Sequence, residues 1–261
     1  MARGQGTKLL VSAVKPVLIG TGFIAGKSGR TWYEDNGWFL SLIDFQAPTN
    51  WQGSFLNVAA MFLWTPRPDG QVATYFDYGG RIGHNTSNDG TTIEYSGDDE
   101  SYASQCESLA RRALKEAEKL RLLCDWEMAK HTLMPHVFCS DELWGNWNRA
   151  MLCFITGDSR AARYLKAFSS FDKLNNDSIR SFVAEQSLLF GPLVEDFPAA
   201  QARIGEVIMT NRQILQKQMF STIDLNWCFQ APPIGSIPEL PIIPERAERQ
   251  GIWGLFKRKT R

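Results

Sequence analysis

The chain has 261 residues and carries 28 basic and 28 acidic side chains, so its formal net charge at neutral pH is zero. That balance argues against a strongly basic nucleic-acid-binding protein and against an acidic, disordered chain. Because hydrophobic residues make up 44% of the chain, with 9 Trp and 16 Phe, the sequence predicts a packed core in one or two domains.

The cysteines indicate a reducing compartment. They are odd in number, widely spaced and without a C-x-x-C pair: Cys106, Cys124, Cys139, Cys153 and Cys228. This pattern is not typical of a disulfide framework. We recognise no signal peptide, and no apolar run approaches the roughly 20 residues that span a bilayer. We therefore expect a cytoplasmic protein of bacterial type.

Up to residue 97, apolar segments alternate with turn signals. Apolar residues at helical spacing, among them Leu10, Val14 and Leu18, predict an opening helix over 5–20. Segments rich in aromatic and β-branched residues then predict strands over 31–34, 38–46, 54–64 and 72–78. Short turns rich in Gly, Pro, Asn and Asp separate these segments, so the strands are expected to form an antiparallel meander.

From residue 98 the pattern changes to helical spacing. Apolar residues recur every three or four positions from Cys106 to Leu120 and predict a long helix over 98–124. Further helices are predicted over 126–133, 141–156, 159–171, 177–190 and 198–220. Asp141 and Asp177 are expected to be N-caps, because a carboxylate at that position accepts hydrogen bonds from the first turn.

The predicted fold class is α+β: an N-terminal helix and an antiparallel β-sheet meander with a closing long helix, followed by an all-helical extension. The composition predicts three parts: an α+β domain over 1–125, a helical subdomain over 126–229 and a Pro-rich extended tail with a basic C-terminus over 230–261.

One string matches a dinucleotide-binding fingerprint. Gly20-Thr21-Gly22 follows an apolar run, and Asp44 lies at about the distance from which an acidic residue binds a ribose. The fingerprint requires a helix that begins at these glycines, because its N-terminus binds the pyrophosphate. The glycine-rich segment 26–37 favours turns instead, so Gly20 and Gly22 are better explained as the end of the first helix. A nucleotide-dependent enzyme using Gly20, Gly22 and Asp44 is the alternative hypothesis.

A series of short motifs supports a different comparison. In chain order they are Lys15-Pro16-x-Leu18, Gly22-Phe23, Gly29-Arg30-Thr31-Trp32-Tyr33, Asn36-Gly37, Ile43-x-Phe45-Gln46, Phe55-x-Asn57-Val58 and Gly80-Arg81-Ile82-Gly83-His84. Residues 8–125, which carry them, resemble an uncharacterised bacterial family, domain of unknown function 4304. The resemblance implies a helix, an antiparallel sheet and a closing helix. It implies no particular reaction and no cofactor.

Polar residues near the ends of the predicted strands form the first candidate site. We expect them at one rim of the sheet: Arg30, Gln46, Asn57, Arg81 and His84. An arginine fork there would suit an anion or a peptide carboxylate. The alternative is that Gln46 and Asn57 satisfy backbone groups and that Arg81 pairs with a surface acid.

Other arrangements do not indicate an enzyme. Cys124, His131, His136 and Cys139 are zinc-ligand types, but their spacing matches no common zinc module. With 3 His and no G-x-S-x-G elbow, the chain offers little material for a hydrolytic triad. We therefore expect no metal and no cofactor.

The tail provides the second candidate site. Apolar and basic side chains are combined at its end: Trp253, Leu255, Phe256, Lys257 and Arg258. They would suit a groove on a partner protein, or give weak contact with an anionic membrane surface. The alternative is a flexible tail, or one whose Trp253 packs on its own domain.

The leading hypothesis from sequence is a non-enzymatic bacterial protein that binds an unidentified protein or peptide, in a toxin-immunity or phage-defence setting. It rests on the lack of a recognisable catalytic motif and on the large number of aromatic residues. Because the charge is balanced, we expect no nucleic-acid partner.

Overall fold

A computed structural model describes residues 4–66, 76–83, 91–135, 142–171, 176–218 and 222–239. The helices are α1 (Gln5–Leu18), α2 (Asp99–Arg121), α3 (Trp126–Leu133), α4 (Glu142–Thr156), α5 (Ala161–Ser169), α6 (Asp177–Phe190) and α7 (Phe197–Gln218). The strands are β1 (Ile24–Ala25), β2 (Thr31–Asp35), β3 (Phe39–Gln46), β4 (Gly53–Phe62), β5 (Tyr78–Arg81) and β6 (Thr92–Glu94). The protein is α+β, as the sequence predicts.

The strands form one antiparallel sheet. Their order is β1-β2-β3-β4-β5, and β6 pairs with the first residues of β4. Neighbours along this path are consecutive in the chain, which makes the sheet a meander. In the turn between β2 and β3, the N–H of Gly37 donates to Asp35 Oδ1 (2.9 Å). Gly37 has φ +83°, a conformation that favours glycine.

The fifth strand differs from the expectation. β5 begins at Tyr78, where the predicted strand ends, and it includes Gly79 and Gly80, which the turn pattern assigns to a loop. Gly79 has φ +86°, and a Cβ at this position would lie 2.5 Å from the carbonyl oxygen of Val58. The glycine therefore lets the strand approach β4 closely. Residues 67–75 lie outside the described residues.

The N-cap expected for α6 is wrong by one position, although the helix begins where the sequence predicts. Asn176, not Asp177, is the N-cap, because its Oδ1 accepts from the N–H groups of Ser178 (2.9 Å) and Ile179 (3.3 Å). Asp177 lies in the first turn, where a negative charge interacts favourably with the helix dipole. The expected N-cap Asp141 lies outside the described residues.

The closing helix predicted from the sequence covers one face of the sheet. α2 packs along α1 and against β3 and β4. Leu10 and Val14 of α1 are buried, as are Cys106, Leu109 and Ala113 of α2. The helical periodicity seen in the sequence therefore marks the face of α2 that enters the core.

The chain divides into two compact units. Unit 1 contains Met1–Leu122 and Met209–Cys228, and unit 2 contains Leu123–Ile208 and Phe229–Arg261. The division at residue 122 lies close to the boundary expected at 125. The segment from 209 to 228, which the composition assigns to a helical subdomain, belongs to unit 1.

Polar side chains on the second part of α7 explain why this segment belongs to unit 1. Asn211 Nδ2 donates to the carbonyl oxygens of Leu63 (2.8 Å) and Thr65 (2.9 Å). Arg212, which is fully buried, donates from Nη1 to Asp35 Oδ1 (2.6 Å) and from Nη2 to Asp35 Oδ2 (2.7 Å). These hydrogen bonds join residues that are far apart in sequence, so composition along the chain does not reveal them.

Unit 2 contains an aromatic cluster around Trp147 of α4, which is fully buried. Its neighbours, by the distance between ring centroids, are Phe168 (5.0 Å), Phe190 (5.6 Å) and Phe182 (5.8 Å). The cluster packs α5 and α6 against α4. Within the described ranges of the chain, no helix is both long enough and apolar enough to cross a membrane.

Candidate functional site

A row of polar residues crosses the sheet in register. Thr31 of β2 pairs with Asp44 of β3, Asp44 pairs with Asn57 of β4, and Asn57 pairs with Arg81 of β5. Directly paired residues point to the same face of an antiparallel sheet, so the four side chains lie side by side. We call Thr31, Asp44, Asn57 and Arg81 the polar row.

The polar row lies on the sheet face opposite α2. Glu34 of β2 accepts a hydrogen bond at Oε1 from Nη2 of Arg121 in α2 (2.9 Å). Side chains alternate along a strand, so Thr31 points away from the face of Glu34. Asn57 is only 3% exposed, whereas Arg81 at the end of the row is exposed. Solvent therefore reaches the row at its Arg81 end.

Hydrogen bonds fix the orientation of the amides in this site. A carboxylate can only accept, so Nδ2 of Asn57 must be the group facing Asp44 Oδ2 (3.1 Å). The same Nδ2 donates to Gln46 Oε1 (3.1 Å), and Arg81 Nη2 donates to that oxygen too (2.8 Å). Gln46 therefore directs its oxygen towards both donors and its NH₂ group away from them.

Arg81 is held by an aromatic ring as well as by Gln46. Its guanidinium carbon lies 4.0 Å from the centroid of the Phe55 ring, a cation–π arrangement. We call Gln46, Phe55 and Arg81 the Arg81 rim. The polar groups that the rim offers to a ligand are guanidinium N–H groups and the Gln46 NH₂, all of them donors. Such a set suits an anionic acceptor.

Arg30 uses its guanidinium for the protein's own backbone and hydroxyl groups. Its Nε donates to Phe45 O (2.7 Å), and its Nη2 to Gly53 O (3.0 Å) and Ser54 Oγ (3.3 Å). Its Nη1 donates to Thr7 Oγ1 of α1 (3.2 Å). Burial lowers the pKa of Arg30. The side chain thus ties α1 to the ends of β3 and β4 and is not part of the Arg81 rim.

Of the five residues that the sequence places at the rim, the structure brings Gln46, Asn57 and Arg81 together. Gln46 and Asn57 form a hydrogen bond with one another (3.1 Å). Arg30 makes its hydrogen bonds elsewhere. The other predicted site residues lie outside the described residues: His84, Trp253, Leu255, Phe256, Lys257 and Arg258.

The glycines of the nucleotide hypothesis follow the C-terminal end of a helix. α1 ends at Leu18, and Gly20 (φ +80°) and Gly22 (φ +98°) turn the chain towards β1. No helix begins at these glycines, so no helix N-terminus is positioned there for a pyrophosphate. The Asp44 oxygens accept from Thr31 Oγ1 (3.0 Å) and Asn57 Nδ2 (3.1 Å). The stop signal expected from the sequence agrees with this geometry.

Unit 2 contains a buried charged cluster that the sequence does not predict. Lys130 Nζ lies 2.9 Å from Asp158 Oδ2, with the two side chains 1% and 0% exposed, and Arg160 donates to both Asp158 oxygens. Burial alone raises the pKa of Asp158, but hydrogen bonds from Arg160 and Lys130 outweigh it and hold the pKa at about 2. A lysine on a helix normally faces water, so no sequence signal marks Lys130.

Within the described part of the chain, no group of three or more His, Cys, Asp or Glu side chains could hold a metal ion. Comparison with known proteins does not supply a relative from which function could be transferred. No family model, curated protein or solved structure matches the chain. The function of this protein must therefore be inferred from its own residues.

Proposed function

We propose that this protein is a non-enzymatic binding protein that recognises a carboxylate of a peptide or protein at the Arg81 rim. The observation that carries the proposal is the orientation of Arg81, held by Gln46 Oε1 at 2.8 Å and by the Phe55 ring at 4.0 Å. Because both contacts hold the side chain before a ligand arrives, less conformational entropy is lost on binding.

The chemistry of the rim favours a carboxylate. Arginine presents two parallel N–H groups that match the two oxygens of a carboxylate. The Gln46 NH₂ adds a neutral donor, and the Phe55 ring offers apolar surface for the part of the peptide next to the charge. A binding site of this kind needs no catalytic group.

The position of the rim favours a macromolecular ligand. Gln46 and Arg81 are exposed, whereas small molecules bind mostly in enclosed pockets. We include in this proposal the cytoplasmic location and the bacterial toxin-immunity or phage-defence setting. The resemblance of residues 8–125 to domain of unknown function 4304 stays a prediction.

Selection from synthetic peptide pools tests the proposal. Two pools of random eight-residue peptides, one with a free C-terminal carboxylate and one amidated, are passed over the immobilised chain, and retained peptides are identified by mass spectrometry. We expect enrichment of free carboxylates or of Asp and Glu side chains. An enriched peptide should bind Arg81→Gln about tenfold or more weakly, since hydrogen bonds to charged groups contribute about 1.5–3 kcal/mol.

Arg111→Gln is the matched control, because it makes the same change at an exposed arginine of α2. We expect it to bind the enriched peptide as the unchanged protein does. Retained peptides enriched neither in free C-terminal carboxylates nor in Asp and Glu, or equal affinities for Arg81→Gln and Arg111→Gln, would contradict the proposal.

A further inference from the structure

An extended segment of the chain lies on unit 2. Residues 229–239, which we call the strap, form no helix or strand. The strap contains Pro232, Pro233 and Pro238, and proline has no N–H to donate. Its carbonyl oxygens are therefore the groups through which such a segment is most readily bound.

Helix α3 presents two donors to these carbonyls. Trp126 and Lys130 are one helical turn apart and lie on the same face of α3. Trp126 Nε1 donates to Gln230 O (3.1 Å), and Lys130 Nζ donates to Pro238 O (2.9 Å). One face of this helix thus contacts both ends of the strap.

The first part of α7 presents a donor and a space for a side chain, again one turn apart. Gln201 Nε2 donates to Pro232 O (3.1 Å). Gly205 leaves room for Phe229, because a Cβ at Gly205 would lie 2.9 Å from Phe229 Cδ1. The ring of Phe229 also packs edge-on against Trp126, with centroids 6.1 Å apart.

The turn between α4 and α5 contacts the second half of the strap. A Cβ at Gly157 would lie 3.0 Å from Ile234 Cγ2, so the glycine leaves space for that side chain. The N–H of Ser159 donates to Glu239 Oε1 (3.0 Å). Asp158 holds the Lys130 ammonium at 2.9 Å, which positions it for the strap carbonyl. Hydrogen-bond donors and glycines that leave room for strap side chains therefore lie along the whole length of the strap.

We propose that these residues form a binding groove for an extended proline-rich peptide and that the strap is its intramolecular ligand. We call Trp126, Lys130, Gly157, Gln201 and Gly205 the strap groove. The strap defines the partner's chemistry: an aromatic residue first, prolines within the segment and a carboxylate at the end. Side-chain donors that bind main-chain carbonyls in a proline-rich segment are a known mode of peptide recognition.

The strap is suited to displacement. Its prolines cannot donate to the groove, and Ile234 is 46% exposed although it covers Gly157. Segments with many exposed groups and few buried contacts open at low cost in free energy. Because the strap is tethered, it competes for the groove at a high effective concentration. A partner peptide therefore binds detectably only when the strap is weakened or when the peptide has a higher affinity for the groove than the strap has.

Competition in trans tests this inference. The probe is a fluorescein-labelled synthetic peptide of residues 229–239, titrated by fluorescence anisotropy against the full chain. Phe229→Ala and Ile234→Asp weaken the strap without changing the groove. We expect each variant to bind the probe at least tenfold more tightly than the unchanged chain does. Adding Gln201→Leu to Phe229→Ala should remove most of this gain, whereas Gln213→Leu, at an exposed glutamine of the same helix, should not.

Three outcomes would overturn the inference. The first is that both weakened variants are folded by circular dichroism and bind the probe no more tightly than the unchanged chain does. The second is that a probe with its prolines replaced by alanine binds equally well. The third is an unchanged chain that is a dimer by light scattering and a Phe229→Ala chain that is a monomer, which would assign the groove to the strap of a second copy.

Discussion

The Asp44 carboxylate and the Asn57 amide lie 3.1 Å apart across β3 and β4, and this contact orients the amide that donates to Gln46 of the Arg81 rim. Because Asp44 accepts, Asn57 must donate, and Gln46 must accept in turn. Arg81, which can only donate, also requires the oxygen of Gln46. The carboxylate therefore supports the outward donors of the rim by keeping Asn57 as a second donor to Gln46.

Replacing the carboxylate by an amide should disturb this order. In Asp44→Asn the new amide can donate as well as accept, so the Asn57 amide can turn its oxygen towards Gln46. Gln46 Oε1 then loses one of its two donors, while Arg81 remains the other. We expect affinity for the enriched carboxylate peptide to fall about fivefold, corresponding to about 1 kcal/mol for one neutral hydrogen bond. Isothermal titration calorimetry measures the change. Glu94→Gln, at an exposed acid of β6, is the control for net charge, and an equal fall there would refute the orientation argument.

The buried Arg212 side chain makes unit 1 sensitive to Asp35. Asp35→Asn would leave a guanidinium that is 0% exposed without its charged partner. We expect the free energy of unfolding to fall by about 3–5 kcal/mol, as for other buried ion pairs that lose one member. Urea unfolding measures the loss. The double variant Asp35→Asn/Arg212→Met should recover part of it, because it also removes the buried charge. A double variant that is no more stable than Asp35→Asn alone would contradict this account.

Asp158 should make stability depend on pH in the acid range. Its pKa is lowered from 3.8 to about 2, so the folded state binds this proton less readily than the unfolded state does. The stabilisation is present above about pH 4 and is lost as the pH falls towards 2, and the shift corresponds to about 2 kcal/mol.

Urea unfolding midpoints at roughly pH 6, 4, 3 and 2.5 measure this effect, because that range covers most of the interval between the Asp158 pKa values of the unfolded and folded states. The difference in stability between the unchanged chain and Asp158→Asn should shrink as the pH falls. Glu107→Gln, at an exposed side chain in the middle of α2, is the control for the loss of one negative charge. A difference for Asp158→Asn that is constant across the range would refute the assignment.

Two glycines with similar backbone conformations should respond differently to alanine. Gly37 has φ +83°, and a Cβ there would lie 2.4 Å from Cε2 of Trp227. Gly20 has φ +80°, and among the described residues the space around its Cβ position is open. We expect Gly20→Ala to lower the free energy of unfolding by about 1–2 kcal/mol, because alanine is strained in this backbone conformation. Gly37→Ala should lower the free energy of unfolding by about 1–3 kcal/mol more, because the new Cβ overlaps with the Trp227 indole. Equal losses in urea unfolding would show that the indole moves aside freely.

Much of the fold was predictable because it depends on local patterns. The bounds of α3 and α6 agree to the residue with the predicted ranges, since apolar periodicity and polar caps define a helix within a few turns. The short strands β1 and β6 were missed, because two or three residues carry no periodicity. The strand residues of β5 after Tyr78 were not predicted, because Gly79 and Gly80, usually turn residues, pair with Ala59 and Val58.

The candidate site was predictable only in part. Gln46, Asn57 and Arg81 were expected together because they lie near strand ends, and they are together. Arg30 was expected with them, but its guanidinium binds carbonyl oxygens that leave no mark in the sequence. A side chain's type is local information, whereas the position of a backbone acceptor depends on the folded chain.

The sequence by itself determined the α+β class, the meander, the closing helix and the residue types available for binding. Only the tertiary structure decided which of those residues meet. Strand register placed Asp44 beside Asn57, and Gln201 and Pro232 met only when the chain folded. Periodicity arises from each residue's own preference and its near neighbours, while these contacts depend on the positions of segments that are distant along the chain.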